Sequence, residues 1–379
     1  MTEKMQEIQE VVILAAGRSR RMEDLSNQLP KCLLPYKGEQ ILKRLVRQIK
    51  NQGVHKIVIT IGYRADEMHR IFDDDSDVIL VENTMYEEDV NILSMSLALS
   101  HIDGPCAIFE ADTVMEDALV SYVVGSDFEE KSVWFTKGPF KEDQYGGILK
   151  SNKFGEVTNI NIVPAWQERY KRYSKLSGIM RIGPDEIDLF RALVNKYART
   201  TLKQYFLNTW IENISLLPSF AADISPFEFF TFNKPAEFYQ MQKSDIGILQ
   251  PTPEIQLVEV STLKHIENFD NARVDTLKEK ITTERIWDTP IIIESKDHLV
   301  LDGQHRFEVA KALGLKQIPA IVVNYKDIII WSLRPEYRVT HSLVYKRVRE
   351  NNIYPYKTVK HKFGFLIPSV NFSLDELQQ

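Results

Sequence analysis

Short apolar runs alternate with amphipathic segments along the first half of the chain. Such alternation predicts strands that each lead into a helix, and therefore an α/β fold whose parallel sheet is covered on both faces. The predicted strands are Val11–Ala15, Lys56–Ile61, Val78–Glu82 and Pro105–Phe109, and the predicted helices are Ile41–Asn51 and Asn91–Ser100. Later runs predict extra strands beside this sheet and then two helices: Ser132–Phe135, Gly146–Leu149, Gly178–Arg181, Glu186–Lys196 and Leu202–Asn213.

A segment punctuated by glycine and proline, Lys243–Glu254 (KSDIGILQPTPE), interrupts this pattern. Glycine and proline at such density favour a connection between folded regions. A second alternation follows, with strands at Ile255–Val260, Thr289–Glu294, Leu299–Leu301 and Ile318–Val323 and helices at Asp275–Thr282 and Gln304–Leu313. The sequence therefore predicts two domains, residues 1–245 and a smaller α+β domain at residues 254–379.

Composition excludes several classes of protein. The 379 residues are 44% hydrophobic and 26% charged, which is typical of a folded chain. The net charge of −6 argues against a general nucleic-acid coat. Two cysteines, Cys32 and Cys106, exclude a disulfide framework.

No apolar run approaches the ~20 residues of a membrane span, and the polar, acidic N-terminus is unlike a signal peptide. We therefore expect a cytoplasmic protein with neither nucleic acid nor membrane as a partner. A homo-oligomer and a monomer both remain open.

A glycine and several arginines follow the first predicted strand, in the run VVILAAGRSRRM. Gly17 has no Cβ, so a polyphosphate can approach the backbone at the carboxyl end of the sheet. Arg18 and Arg21 add positive charge, and Lys31 follows in LPKCLLP. The alternative is an ordinary strand and loop with surface arginines, since neither GxxxxGK[ST] nor GxGxxG is present.

LAAGRSRRM followed by LPKCLLP resembles the nucleotidyltransferase superfamily, in particular the choline-phosphate cytidylyltransferases, over roughly residues 10–245. The resemblance implies a Rossmann-like domain with a mixed, mostly parallel sheet, and CTP and Mg²⁺ as ligands. It implies contacts with the nucleotide or its phosphates, and with the base, for these residues: Leu14, Ala15, Ala16, Gly17, Arg18, Arg21, Lys31, Asn83, Asn91 and Ser94. It also implies that Asp112, in FEADT, holds the metal, with Asn233 where the family has a second metal-binding aspartate.

Cytidylyl transfer joins two anionic reactants, so charge neutralisation and alignment dominate its catalysis. Lys31, Arg21 and a metal on Asp112 would supply that charge. The alternative for Asp112 is a turn carboxylate at the end of a strand. Asn233 offers a neutral oxygen, which binds Mg²⁺ more weakly than a carboxylate does.

In the second domain, LVLDGQHRF predicts a strand that ends at Asp302, a turn at Gly303 and a helix that begins at Gln304. The free N–H groups of a helix start, together with His305 and Arg306, form a site for an anion. The alternative is a strand, turn and helix in which Asp302 is a cap.

DGQHR resembles the phosphate-binding turn of the ParB/sulfiredoxin-like fold, and within it the DGHHR turn of the free-serine kinases. Lys264-His265-Ile266-Glu267, Trp331 and Tyr354–His361 (YPYKTVKH) agree with that subgroup, so the resemblance covers about residues 255–368. Gln304, Val359 and Lys360 depart from the pattern, where the kinases have His, Thr and Arg. The lack of a cysteine in the turn excludes sulfiredoxin activity.

The resemblance implies a role for each residue of this set. Glu267 is the expected catalytic base, and Asp302 is a metal ligand or the alternative base. Nucleotide phosphates would be held by Gly303, Gln304, His305 and Arg306. The amino acid or its phosphate would be held by Trp331, Lys357, Thr358, Lys360 and His361.

We therefore expect a bifunctional transferase that phosphorylates L-serine, or a close amino alcohol, with ATP or ADP and couples the phosphoserine-like product to CTP. One alternative is a ParB-like, CTP-binding switch that associates with DNA. Because Asp327–His361 is rich in apolar and aromatic residues, we expect strands there rather than a helix-turn-helix, which disfavours that alternative. Another keeps the cytidylyltransferase and makes the second domain a binding-only sensor.

Overall fold

A computed structural model describes residues 8–378 except 23–24, 26–28, 126–127, 129–130, 248–250 and 335. The chain divides into two compact units, Met1–Gly247 and Ile248–Gln379. The division falls within the glycine- and proline-containing segment Lys243–Glu254. Residues 1–7, which bear on the expectation of no signal peptide, lie outside the described residues.

A mixed sheet forms the centre of the first unit, in the order β10-β9-β11-β6-β1-β4-β5, with β8 and β12 paired beside β11. Its strands are β1 (Glu10–Leu14), β4 (Lys56–Ile61), β5 (Val78–Glu82), β6 (Cys106–Glu110), β8 (Val133–Pro139), β9 (Gly146–Ser151), β10 (Val157–Val163), β11 (Ser174–Ile182) and β12 (Phe220–Asp223). Short pairs outside it are β2 (Pro35–Tyr36) with β3 (Glu39–Gln40), and β7 (Thr113–Met115) with β13 (Phe229–Thr231).

Strands β5, β4, β1 and β6 are parallel neighbours. β11 pairs antiparallel with β6, β8 and β9. Because β1 is covered on both faces, Val11, Val12 and Ile13 are fully buried, which explains its continuous apolar run. The predicted mixed Rossmann-like architecture is confirmed, and the predicted parallel strands are correct to within one residue.

The helices of the first unit are α1 (Ile41–Lys50), α2 (Ala65–Phe72), α3 (Ile92–Leu99), α4 (Asp117–Val124), α5 (Pro184–Ala198), α6 (Phe206–Glu212) and α7 (Pro235–Gln242). The prediction of a helix from Leu202 was wrong, because α6 begins at Phe206. There the Asn208 side chain accepts a 3.1 Å hydrogen bond from the Tyr205 N–H and caps the first turn. Helices α2, α4 and α7 and strand β10 were not predicted.

The second unit contains a four-stranded sheet in the order β14-β18-β16-β17. The four strands of this sheet are β14 (Ile255–Glu259), β16 (Ile291–Glu294), β17 (Val300–Asp302) and β18 (Gln317–Val323). Two short pairs lie outside it: β15 (Ile286–Trp287) with β21 (Phe372–Ser373), and β19 (Ile329–Ser332) with β20 (Val359–Lys362). The helices of the second unit are α8 (Asn271–Glu284), α9 (Gln304–Ala312), α10 (His341–Arg349) and α11 (Leu374–Leu377). Trp287, Ile293, Val300 and Val309 are fully buried in its core.

Helix α10 corrects the expectation that Asp327–His361 contains strands alone. The Thr340 hydroxyl accepts a 3.3 Å hydrogen bond from the Leu343 N–H and starts the helix. Val344 is its buried anchor, while Lys346 and Arg347 lie in the last turn, where positive charge is favourable. The strand-rich argument against a DNA-associated switch is weakened accordingly.

In the described part of the chain, no helix has both the length and the apolar character needed to cross a bilayer.

Candidate active sites

A cavity of about 290 Å³ opens at the carboxyl ends of β1 and β6 in the first unit. It collects residues from six separate stretches of the chain. Of the residues predicted from the sequence, it brings together Leu14, Ala15, Ala16, Gly17, Arg21, Lys31, Asn91, Ser94, Asp112 and Asn233. The parallel pairing of β1 with β4 and β6 explains this convergence, because parallel strands end at the same edge of the sheet.

The loop after β1 leaves its backbone open towards this cavity. A Cβ on Gly17 would meet no atom within 4 Å, so a ligand can approach there. On the opposite side, Gly62 lies against the loop, and a Cβ on it would be 2.9 Å from the Ala16 carbonyl oxygen. Arg18 is directed elsewhere: it forms a 3.6 Å ion pair with Glu87 and lies over the Tyr63 ring. The prediction of a nucleotide contact for Arg18 is therefore not supported by its position.

Lys31 is the cation at the centre of this site, and it is 4% exposed. Its ammonium group pairs with Asp112 and donates a 3.4 Å hydrogen bond to Asn233 Oδ1. Arg21 donates to the same Asn233 oxygen at 3.1 Å and to the Tyr145 hydroxyl at 2.9 Å. One carboxylate and one amide thus hold two cations at the mouth of the glycine loop.

The Asp112 carboxylate has an oxygen open to a metal ion, whereas the Asn233 oxygen already accepts two hydrogen bonds. Asp112 Oδ1 is buried and, among the described residues, has no hydrogen-bond partner. Such an orphaned oxygen is costly unless a ligand completes it, and a hard cation such as Mg²⁺ prefers oxygen ligands. Asn233 Oδ1 already accepts from Lys31 and Arg21, so a metal ion there would compete with two cations, and its role as a metal ligand stays a prediction.

In the expected base-recognition segment, Asn91 and Ser94 line the cavity and Asn83 does not. Asn83 is fully buried, and its side chain bonds Asp89 at 2.9 Å, Ser94 at 3.0 Å and the Met85 N–H at 3.0 Å. It therefore braces the start of α3, and its prediction as a nucleotide contact was wrong. Ser94 donates to Asp89 at 2.8 Å, and Asn91 accepts from the Phe206 N–H at 2.8 Å; both line the cavity.

Three charged residues were not predicted from the sequence: Glu110 and Lys137, whose charges interact with Asp112, and Lys175, whose charge interacts with Glu110 and Lys137. Burial and the neighbouring Asp112 raise the pKa of Glu110 to about 7. Burial and the neighbouring Lys137 lower the pKa of Lys175 to about 8. Glu110 could have been noticed in FEADT beside Asp112, whereas the two lysines carry no local sequence signal.

In the second unit, Gly303 makes the turn between β17 and α9. Its φ is 95°, a conformation that favours glycine, and a Cβ there would lie 2.6 Å from Ile291 Cγ2. Asp302 is exposed just before this turn. Arg306 Nε is buried without a hydrogen-bond partner among the described residues, which fits an anion at the helix start.

The side chains of Gln304 and His305 were predicted to bind phosphate, but both form hydrogen bonds within the fold. Gln304 is buried; its Nε2 donates to the Val300 carbonyl at 2.5 Å, and its Oε1 contacts His265 Nδ1 at 2.5 Å. His265 also contacts Glu308 at 2.6 Å, so it braces α9. Burial lowers the pKa of His305, and its Nε2 accepts from the Asp270 N–H at 3.2 Å. Their main chain can still serve an anion, but neither side chain brings a positive charge.

Glu267 lies close to Asp302 and Lys360, the groups whose charges act on it. Its Oε2 accepts hydrogen bonds from the backbone N–H groups of Thr358 at 3.0 Å and Val359 at 2.9 Å. Burial raises its pKa to about 7, against the opposite influence of these two N–H groups. Trp331 pairs across the strands with Lys360, so the two side chains share one face of the β19–β20 pair.

Two residues predicted to hold substrate are buried in the fold. Thr358 is fully buried, and its hydroxyl donates to the Pro355 carbonyl at 2.7 Å. His361 is buried with Nε2 3.0 Å from the Tyr325 hydroxyl, and burial lowers its pKa to about 3. Both side-chain assignments were wrong. Lys357 precedes them with φ of 53° and lies over the Tyr356 ring.

Comparison with known proteins assigns each unit separately. A model of the MobA-like NTP transferase domain matches residues 11–144, and one of the ParB N-terminal domain matches residues 243–330. The chain is 32% identical over 211 residues, 53% of its length, to a 2-aminoethylphosphonate cytidylyltransferase from Lancefieldella rimae, of which it covers 78%. It is 37% identical over 73 residues, 18% of its length, to an ATP-dependent L-serine kinase from Desulfurococcus mucosus, of which it covers only 29%.

Among solved structures, a CTP:phosphocholine cytidylyltransferase from Streptococcus pneumoniae superposes with a TM-score of 0.54 at 19% identity, covering 63% of this chain and 99% of that one. This likeness shows the fold of the first unit. The chain therefore belongs, through its first unit, to the family of the 2-aminoethylphosphonate cytidylyltransferase; this unit contains a MobA-like NTP transferase domain, and the second unit contains a ParB-like domain similar to part of the L-serine kinases.

Proposed function

We propose that the second unit phosphorylates L-serine, or a close amino alcohol, with ATP or ADP, and that the first unit couples the phosphomonoester to CTP with the aid of Mg²⁺. The products are a CDP-serine-like diphosphodiester and pyrophosphate. One observation carries the proposal: a cytidylyltransferase-like domain and a domain related to L-serine kinases occur in one chain. The first consumes the class of compound that the second makes.

In the kinase step, the serine hydroxyl oxygen forms a bond to the terminal phosphorus of the donor nucleotide, and the bond from that phosphorus to the bridging oxygen breaks. Glu267 accepts the hydroxyl proton, since its carboxylate is half-buried and faces Asp302 and Lys360. The N–H groups at the start of α9 and Arg306 hold the nucleotide phosphates.

In the cytidylyl step, a phosphate oxygen of the acceptor forms a bond to the α-phosphorus of CTP, and the bond to the β-phosphate oxygen breaks. Lys31 and Arg21 neutralise charge on the two anionic reactants at the Gly17 loop. Mg²⁺ bound to Asp112 Oδ1 would polarise the reacting phosphate and stabilise the departing pyrophosphate.

A second candidate acceptor is 2-aminoethylphosphonate, which the 32% identity to its cytidylyltransferase favours. Like phosphoserine, it presents a phosphoryl dianion and an amino group. A first unit that accepts it would not need the second unit as the source of its substrate.

A radiolabel experiment tests the proposal. Full-length protein is incubated with ATP labelled at the γ-phosphate, L-serine, CTP and Mg²⁺, and the product is treated with phosphatase. We expect label in a compound that resists phosphatase, because a diphosphodiester has no terminal phosphate. Glu267→Gln should form no labelled compound of this kind from ATP, and should form it when O-phospho-L-serine labelled in its phosphate is supplied instead. With wild-type protein, label that stays in ATP, and in ADP labelled at the β-phosphate in a parallel reaction, would refute the kinase assignment.

A further inference from the structure

Glu110 is a half-buried carboxylate at the wall of the first unit's cavity, and no partner explains it. Its side chain forms neither a hydrogen bond nor an ion pair with any of the described residues. Gly178 leaves space for the Glu110 side chain, because a Cβ on residue 178 would lie 2.5 Å from Glu110 Oε2. A desolvated carboxylate without a partner is costly in a folded chain, and such groups concentrate at functional sites.

Two half-buried lysines lie near enough for their charges to act on Glu110. Lys137 donates a 2.9 Å hydrogen bond to the Thr231 hydroxyl and lies over the Phe229 ring. Lys175 donates to the carbonyl oxygens of Gly147 at 3.1 Å and Leu176 at 3.3 Å. Since an ammonium group has three donors, each lysine keeps at least one N–H beyond these bonds.

The position of this cluster in the sheet separates it from the nucleotide residues. The Gly17 loop follows β1, and Ser94 belongs to α3, which follows β5 on one side of β1. Lys175 and Lys137 belong to β11 and β8, on the other side of β6. Glu110 ends β6 itself, two residues before Asp112. Lys137 and Lys175 therefore lie beyond β6, away from the Gly17 loop and Ser94, and Glu110 lies on the strand between the two sets.

We propose that Glu110, Lys137 and Lys175 form the acceptor subsite of the first unit and select an acceptor that carries both an ammonium and a carboxylate group. Glu110 binds the ammonium group, and the two lysines bind the carboxylate. The inference rests on the proposed function, since it names the substrate class of the same site. An amino acid phosphate matches this arrangement of charges, whereas an amino alkyl phosphate satisfies Glu110 alone.

Three acceptors separate the charges: O-phospho-L-serine carries both groups, phosphoethanolamine only the ammonium group, and 2-phosphoglycolate only the carboxylate. Pyrophosphate release is measured with full-length protein, CTP and Mg²⁺. Glu110→Gln should raise the KM for the two ammonium-bearing acceptors about 10-fold or more and leave 2-phosphoglycolate within about twofold. Lys175→Met should raise the KM for the two carboxylate-bearing acceptors and spare phosphoethanolamine.

Lys137→Met serves as a second variant in case Lys175→Met does not fold, and its expected pattern is the same. Lys150→Met, an exposed lysine on β9, is the matched control and should behave as wild type. An equal loss for all three acceptors in Glu110→Gln, or a raised Mg²⁺ requirement, would overturn the proposal and make Glu110 a structural or metal-binding residue.

If wild-type protein releases no pyrophosphate with any acceptor, the proposed function fails, and calorimetry with the same acceptors in the presence of CMP decides the subsite separately. Binding of O-phospho-L-serine that Glu110→Gln and Lys175→Met each weaken supports the subsite. Absence of binding, or equal binding by all variants, overturns it.

Discussion

The carboxylate of Glu267 accepts a 2.9 Å hydrogen bond from the backbone N–H of Val359, at the start of β20. Burial raises the pKa of this carboxyl group, and the hydrogen bond from Val359 lowers it. The effect of burial is the larger, so the pKa is raised to about 7. A carboxyl group that titrates near neutrality is both ionised often enough and basic enough to accept a hydroxyl proton. The kinase half of the account depends on this balance.

Serine phosphorylation should therefore depend on pH through Glu267. Because the base works only when deprotonated and its pKa is raised, the rate should fall about tenfold per unit below pH 7 and level off above it. Glu267→Gln should lower kcat by ~10²–10⁴-fold at pH 8. Steady-state kinetics between pH 5.5 and 8.5 measure both effects. Near-normal turnover in Glu267→Gln, beside an inactive Asp302→Asn, would move the base to Asp302.

Asp112→Asn should abolish CTP-dependent pyrophosphate release and leave serine phosphorylation intact. The substitution removes the charge from a carboxylate whose Oδ1 is buried without a partner among the described residues and whose other oxygen holds Lys31. Asp143→Asn, at an exposed aspartate of the same unit, is the control. Pyrophosphate release at the wild-type rate in Asp112→Asn would make Asp112 a turn residue.

Gly303→Ala should impair the second unit more than Gly314→Ala does. Both glycines have positive φ, which costs an alanine ~1–2 kcal/mol. At Gly303 the added Cβ also meets Ile291 Cγ2 at 2.6 Å, whereas at Gly314 it meets no atom within 4 Å. Urea unfolding should show the larger loss for Gly303→Ala, together with weaker ATP binding. Equal losses would mean that the turn adjusts without cost.

Acid should destabilise the second unit through His361. Its folded pKa of about 3 lies below the ~6.5 of an unfolded histidine, so the unfolded state binds the extra proton. Its contribution to stability is complete above pH 6.5 and falls by up to about 1.4 kcal/mol per unit as the pH drops towards 3. Hydrogen exchange of the β17 and β20 amides at pH 5 and 7 measures this. The variant His361→Phe/Tyr325→Phe should lose that dependence; an unchanged dependence would exclude His361 as its source.

Cleavage of the chain between residues 245 and 254 should release two pieces that fold independently. Each unit has its own buried core, and the cleaved segment lies at the division between them. Thermal melts of the separate pieces should each show a cooperative transition. If neither piece melts cooperatively, the two-domain organisation is wrong.

Much of the architecture could be predicted from periodicity, because the strands β1, β4 and β6 are buried on both faces and appear as continuous apolar runs. Helix α10 was missed because its aromatic and apolar residues also fit a strand. The Thr340 side chain caps the helix, but a threonine alone does not distinguish a helix start from a strand in the sequence. Local sequence pattern therefore identifies elements that are buried along their whole length. It fails where the apolar residues fit both a helix and a strand and tertiary contacts decide between the two.

Of the candidate sites, the turns could be predicted, but the partners of each side chain could not. Gly17, Lys31, Asp112 and Gly303 are fixed by local motifs. Whether Asn83, Thr358 and His361 face a ligand or the core depends on neighbours distant in sequence, such as Asp89 and Tyr325. Lys137 and Lys175 join Glu110 only through the pairing of β8, β11 and β6.

Phosphorus NMR of full-length protein with ATP, CTP, Mg²⁺ and L-serine tests the coupling of the two units most directly. We expect a phosphomonoester signal that gives way to a diphosphodiester signal, both of them absent when serine is omitted. In Asp112→Asn the phosphomonoester should accumulate, and in Glu267→Gln neither signal should appear unless O-phospho-L-serine is added. A diphosphodiester that forms without serine, or a phosphomonoester that wild-type protein never consumes, would contradict the account.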